Sequence, residues 1–300
     1  MDIKPIGELQ SNNSAAEAGN FGTVTIIGTG LIGGSLALVL KDKGLALHII
    51  GVDNNKENQH KALQLGIVDE ILPLKEAIRK SGLIVLAVPV DALFSLLPLV
   101  LDEVDQQVVM DMGSTKQNVI EAVANHPKRG RFAATHPMWG TEYKGPEAAV
   151  KTAFANKATI ICDVEHSDYD VLQLVVNLYT EIGMHIIFME AAAHDLHAAY
   201  VSHISHITSF ALANTVLEKE KEEDTIFELA SAGFESTVRL AKSNPEMWVP
   251  IFRQNRENVL DVLNEHIAQL RKFKSCLEKE NYEYLQELIE KANGIRRILK

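Results

Sequence analysis

The segment Val24–Asp53, VTIIGTGLIGGSLALVLKDKGLALHIIGVD, constrains the fold of this chain more than any other stretch. It reads as a strand, the glycine pattern Gly28-x-Gly30-x-x-Gly33, a helix, a second strand and a terminal acid. Gly28 permits a tight turn out of the strand, Gly30 lets the backbone approach a pyrophosphate, and Gly33 lets the helix pack closely on the sheet. The start of that helix turns free N–H groups toward the same phosphates, so Leu31 and Ile32 join the glycines as candidate cofactor-binding residues. Asp53 follows Gly33 at the roughly 20-residue spacing expected of the acid that grips an adenosine ribose. A carboxylate there accepts the ribose hydroxyls of NAD and repels the 2′-phosphate of NADP. No Arg follows it; Asn54, Asn55 and Lys56 do. The expected cofactor is NAD.

Alternation of strands and helices continues well past this unit. Strands are expected at Thr23–Ile27, His48–Val52, Leu83–Val88, Gln107–Asp111, Arg131–Thr135, Ala158–Asp163 and Met184–Phe188. Several are short, apolar and β-branched, as strands covered on both faces are. Helices fall between them, including Leu31–Lys43, Thr115–Ala124 and Ser167–Ile182. The fold class is therefore α/β, a doubly wound Rossmann-type parallel sheet, followed by an all-α C-terminal domain. After Glu190 the strands stop, and Ala191–Glu220 reads as one long helix. Asn244-Pro245-Glu246 supplies an N-cap, a Pro at the first helical position and an early acid, for a helix that runs to about Cys276. Asn281 to Leu299 gives another. The divisions are a flexible leader at 1–20, a dinucleotide-binding domain at 21–190 and a helical substrate-binding and dimerisation domain at 191–300.

Composition narrows the partners. A chain of 300 residues, 46% hydrophobic, can bury one large core or two modest ones. A net charge of −11, spread along the chain apart from the run Glu218 to Asp224, argues against a nucleic-acid surface. No apolar stretch approaches the 18 or so residues of a membrane span. Cys162 and Cys276 lie far apart and read as reduced thiols of a cytoplasmic protein, and the N-terminus has no export or import pattern. Long helices with this much apolar face usually need a partner, so a homodimer through the helical domain is expected.

In such a two-domain plan, chemistry belongs at the carboxyl ends of later strands and on helical segments facing them. Ser114, in Asp111-Met-Gly-Ser114-Thr-Lys116, is placed to cap the next helix, to line the site, or both. His136 ends a short strand before Pro137 and a loop with Gly140 and Gly145; a histidine there is a plausible general base or a structural residue. His194, His197, His203 and His206 share one helix. At about 100° per residue, His203 and His206 point to the side opposite His194 and His197, which excludes a single four-His metal site; no metal is expected. His203 and His206 are candidates to face the cleft. Arg239 lies in a mostly uncharged, apolar stretch, where a guanidinium is costly unless paired with an acid from the protein or from a substrate.

Together GTGLIGGS, DMGSTK, THPMWGTE, HDLHAAYVSHISH and AGFESTVRLAKSNPEMW resemble the prephenate dehydrogenase family, also called cyclohexadienyl dehydrogenases, from Val24 to about Leu263. The resemblance implies NAD-dependent oxidative decarboxylation of prephenate to 4-hydroxyphenylpyruvate, a step toward tyrosine. It also implies that His136 accepts a hydrogen bond from the substrate's ring hydroxyl and that Ser114 helps orient both. His206 and Arg239 would bind substrate, Arg239 through a carboxylate, and Glu142 would order the site entrance. The chain departs from the family pattern at Ser236, where Asp is common, and at Ser231-Ala232, where glycines are common. No room is expected for an added ligand-sensing module or a fused mutase domain.

Three rivals remain at this stage. Arogenate, with an amino group in place of the side-chain keto oxygen, satisfies the same motifs. A β-hydroxyacid dehydrogenase shares the domain plan but needs a catalytic lysine, for which Lys242 is the candidate, and leaves His136 unexplained. A non-catalytic NAD-binding sensor leaves the set of His136, Ser114 and Arg239 unexplained.

Overall fold

The computed structural model describes residues 21–221 and 226–298. The expected leader, residues 1–20, lies outside them, as does the acidic run beyond residue 221. Strands β1 (Thr23–Ile27), β2 (His48–Val52), β3 (Glu70–Ile71), β4 (Leu83–Leu86), β5 (Val108–Asp111), β6 (Phe132–Pro137), β7 (Ala158–Cys162) and β8 (His185–Met189) form one sheet in the order β3-β2-β1-β4-β5-β6-β7-β8. Between them lie helices α1 (Leu31–Asp42), α2 (Lys56–Gln64), α3 (Leu74–Lys80), α4 (Val90–Glu103), α5 (Gln117–Glu121) and α6 (Tyr169–Glu181). The two-residue β3, paired to β2 through Ile50–Glu70 and Gly51–Ile71, is too short to leave a periodic signal.

Side chains alternate along each strand, so the sheet is covered twice. Val24, Ile26, Leu83, Val85 and Met110 face a layer made by α1 and α6; Ile27, Ile84, Leu86 and Val109 face one made by α3, α4 and α5. The chain reverses direction across the sheet between β1 and β4, and the crevice beyond their carboxyl ends is where ligands bind in such sheets. The last two strands run against the other six: β6 pairs β7 antiparallel, with His136 opposite Ile160. The connection from β6 to β7 carries no α-helix and returns as a loop, so no crossover restores the parallel direction. That loop hangs over the crevice.

After Met189 come α7 (Ala191–Ala198), a π turn (Ala199–His203), α8 (Ile204–Glu220), α9 (Ala232–Val238), α10 (Pro245–Gln254), α11 (Arg256–Glu278) and α12 (Tyr282–Ala292). The uniform α-helix expected over Ala191–Glu220 is thus interrupted by a wider turn. The helix expected from Asn244 to Cys276 breaks at Asn255 (φ −104, ψ 29), whose side chain is engaged elsewhere. Asn244 caps α10 as expected, accepting from Glu246 N. Val90 of α4 packs with Trp248 and Ile251 of α10, and Asp91 accepts from Arg253 (2.9 Å) and Gln254 (3.1 Å). These contacts close the helical domain onto the carboxyl edge of the sheet.

Candidate active site

The turn after β1 is built as a phosphate cradle. Gly28 sits at φ +93, and a Cβ there would overlap the Ala87 carbonyl oxygen. A Cβ on Gly33 would overlap the Gly28 carbonyl oxygen and lie 2.8 Å from Ile26 Cγ2, so α1 can approach β1 only through glycine. Gly30, in contrast, has nothing within 4 Å of where its Cβ would stand. It opens on the N-terminus of α1, which has neither a side-chain cap nor an acid in its first turn. Those are the properties a pyrophosphate needs. Asp53 is fixed in advance at the end of β2: Oδ2 accepts from Thr29 N (2.9 Å) and Thr29 Oγ1 (3.0 Å), and Oδ1 from Asn55 N (2.8 Å). The residues present fit a dinucleotide.

Gly30, Leu31 and Ile32 form one wall of a cleft of about 530 Å³ between the domains. Ser114, His136, Glu142, His206 and Arg239 line the same cleft. Gly28, Gly33 and Asp53 are not among the residues that line it. Residues separated by more than 100 positions are therefore gathered around one space.

His136 is partly exposed to this cleft. Burial pushes its imidazole well below the ordinary histidine pKa, and His194, Lys116 and His203 push the same way. The Lys116 ammonium is fully buried and paired with the Asp111 carboxylate, also fully buried. His136 Nδ1 lies 2.8 Å from His194 Nε2, and His194 Nδ1 lies 2.7 Å from Asp195 Oδ1. Asp195 also takes over the capping role expected of Ser114: its two oxygens accept from Lys116 N (2.8 Å) and Gln117 N (3.0 Å) at the start of α5. Ser114 does not cap, and its hydroxyl faces the cleft without a partner among the described residues.

The opposed histidine directions expected from a regular α-helix are corrected by the π turn. One extra residue in the turn removes about 100° from every later position, bringing His203 to about 80° and His206 to about 20° from His194. His194 and His203 are accordingly both buried, while His197 is exposed. His203 Nδ1 accepts from Asn255 Nδ2 (3.2 Å), which also donates to the Asp195 carbonyl (2.7 Å). Burial brings His203 down to about 4. His206 Nδ1 lies 3.0 Å from the Ser202 carbonyl, its ring stacks on Trp248, and burial lowers its pKa despite that carbonyl.

Arg239 follows α9 in a segment without buried residues, and its side chain is 55% exposed. The expectation of a guanidinium in apolar surroundings does not hold; Arg239 Nη1 instead faces Glu142 Oε2 across the cleft mouth at 3.7 Å. Lys242 lines an outer groove with Glu147 that adjoins the His136 cleft through Glu142 and Tyr143, and Lys242 itself is not among the residues lining that cleft. The sequence assigned no role in the site to His194, Asp195, Trp248 or Asn255. The available signal was an acid, Asp195, at an inward position beside Ala191, Ala198 and Ala199.

A glycine cradle with a fixed acid at the end of β2, sharing a two-domain arrangement with a histidine of lowered pKa, fits the class of dinucleotide-dependent dehydrogenases. Residues 36–188 match the family described as prephenate dehydrogenase, nucleotide-binding domain, and residues 190–291 match prephenate dehydrogenase, dimerization domain. The chain is 30% identical over 278 residues to a prephenate dehydrogenase of Bacillus subtilis, covering 91% of this chain and 75% of that protein. It superposes on prephenate dehydrogenase of Aquifex aeolicus, solved with hydroxyphenyl propionate and NAD+, with a TM-score of 0.86 and 29% identity, over 96% of this chain and 100% of that one. An arogenate dehydrogenase of Synechocystis gives 0.74 and 26%, over 93% and 100%. The chain belongs to the prephenate dehydrogenase family.

Proposed function

We propose that this chain catalyses the NAD-dependent oxidative decarboxylation of prephenate to 4-hydroxyphenylpyruvate. The observation that carries the reading is the meeting of the Gly30 turn, His136 and Arg239 in one cleft. NAD, when bound, supplies the hydride acceptor. Gly28 to Gly33 would hold its pyrophosphate and Asp53 its adenosine ribose. His136 accepts the hydrogen bond of the ring hydroxyl, which its lowered pKa permits at neutral pH. Ser114 orients that hydroxyl from the same wall. His206 and Arg239 bind substrate, Arg239 as a fork on a carboxylate, and Glu142 steadies Arg239 at the entrance. Loss of the ring carboxylate aromatises the product and drives the reaction, so the protein's work is alignment and charge.

Among the described residues no helix is long and apolar enough to cross a membrane. The free, buried Cys162 and Cys276 fit the cytoplasm. The helical domain is the substrate-binding and dimerisation unit. Helix α12 buries none of its residues within the chain, and Leu270, Leu277, Ile289 and Ile295 are exposed, an apolar face suited to a second copy.

Arogenate is the second reading, because a relative of the same fold is an arogenate dehydrogenase. NADH formation with prephenate and with arogenate, each at matched concentrations, tests both. A higher kcat/KM with prephenate is expected; preference for arogenate overturns the substrate, and turnover of neither overturns the reading.

A further inference from the structure

We propose that His194 and Asp195 are positioning residues that set the tautomer of His136 and take the proton it borrows from the substrate. The inference deepens the proposed reaction and rests on it. Its basis is a continuous line of hydrogen bonds leading away from the cleft into the helical domain.

The direction of each bond follows from the far end. The Asp195 carboxylate accepts from Lys116 N (2.8 Å) and Gln117 N (3.0 Å), so it stands as an acceptor toward the histidine beside it. At 2.7 Å, His194 Nδ1 must therefore carry the hydrogen. A neutral His194 then has a bare Nε2, and that atom lies 2.8 Å from His136 Nδ1. His136 must donate from Nδ1, which leaves its Nε2 bare. The other neutral tautomer of His136 would set two lone pairs against each other inside a buried contact, since His194 is only 2% exposed. The bare Nε2 is the atom a substrate hydroxyl needs.

The same line gives the proton somewhere to go. As hydride leaves the hydroxyl-bearing carbon for the oxidised nicotinamide, the O–H bond breaks, its electron pair becomes the second C–O bond, and the proton arrives on His136 Nε2. The Nδ1 proton of His136 can then pass to His194 Nε2, placing the positive charge beside the Asp195 carboxylate. When the ring carboxylate leaves as carbon dioxide, its electron pair aromatises the ring and the oxygen recovers the proton along the reverse path. No proton is released overall. A relay that holds one briefly and has no exit to solvent is sufficient. The charged groups around it are Lys116 with Asp111 from the β5–α5 turn, Asp195 from α7, and His203 from the π turn. Lys116 and His203 oppose a cation on His136, whereas Asp195 favours one on His194.

His194→Gln separates this role from packing, because an amide oxygen can still accept from His136 Nδ1 but cannot take its proton. With prephenate and saturating NAD, kcat is expected to fall about 10-fold to 100-fold. KM for prephenate should stay within about twofold and NAD binding should not change. The acid limb of the kcat profile should move to lower pH, since the pair has lost its second proton acceptor. A limb that moves to higher pH would mean that His194 only repels charge on His136, and an unmoved limb with unchanged kcat would mean that it only packs; either overturns the relay. Nitrogen NMR of histidine-labelled unmodified protein gives an independent reading: His136 is expected with hydrogen on Nδ1 and a bare Nε2, and the reverse tautomer overturns the proposal. Failure of the unmodified protein to oxidise either substrate would sink the reaction assignment, while the NMR result would still decide the tautomer.

Discussion

The His206 imidazole lies over the Trp248 indole with ring centroids 3.5 Å apart and planes 28° from parallel. The stack joins a candidate substrate ligand to the small apolar cluster, Val90, Trp248 and Ile251, that fastens the two domains. Trp248 is buried, so Trp248→Ala should cost about 3–5 kcal/mol of stability. Trp248→Phe, which keeps an aromatic face, should cost less and preserve substrate binding better. Urea denaturation midpoints and KM for prephenate measure the two effects. Equal losses for Ala and Phe would show that an aromatic face against His206 is not what the site needs.

His136→Asn should lower kcat by about 10²–10⁴ with little change in NAD affinity. The expected pH profile has a definite sign. A histidine whose pKa is depressed is neutral above that value, so the base stays competent through neutrality and fails only when pH falls well below the ordinary 6.5. An acid limb centred above 6.5 would contradict the burial of this ring.

Arg239→Gln should raise KM for prephenate about tenfold or more, equivalent to about 1.4 kcal/mol, with a smaller loss in kcat. Its partner contact with Glu142 is 3.7 Å and its side chain is half exposed, so melting temperature should not move. Lysine should rescue only in part, since a point charge lacks the fork. A large drop in melting temperature with normal KM would make the pair structural.

The two glycines of the cradle should fail differently. Gly33→Ala forces a methyl into the Gly28 carbonyl and should destabilise the whole domain, whereas Gly30→Ala meets open space. Gly30→Ala should therefore leave the melting curve of the unliganded protein in place and weaken NAD binding, as read by fluorescence titration. Similar melting temperatures for both variants would contradict this packing.

Cofactor choice should follow Asp53. NAD is expected to be used about tenfold more efficiently than NADP, a difference of about 1.4 kcal/mol, and Asp53→Ser should narrow the gap. Equal use by the unmodified protein would displace Asp53 from the ribose.

The features legible in sequence were those with a local cause. Gly33, which must clear the Gly28 carbonyl, and the N-cap at Asn244, which accepts from Glu246 N, each answer a steric or hydrogen-bonding need within a few residues. His136 was legible because a strand ends there. What escaped was decided at long range. Asp195 reaches across the domain boundary to cap α5, so Ser114, the better cap by local rules, is left free for the cleft. Asn255 breaks a helix that its neighbours favour because its amide is held by Asp195 and His203. The direction of β7 depends on a loop that has no helix to turn it, which strand composition does not encode.

The π turn at Ala199–His203 also makes the length of this helix a functional quantity. Deleting one residue within it would restore an ordinary α-helical pitch and rotate every later side chain by about 100°. His206 would leave Trp248, and His136 on β6 would lose its alignment with His206, although neither residue had been changed. A substitution at exposed Tyr200, which does not line the cleft, should leave that alignment intact. Ala199 and His203 at the ends of the turn are buried, so it constrains both the residues at its ends and the number of residues between them.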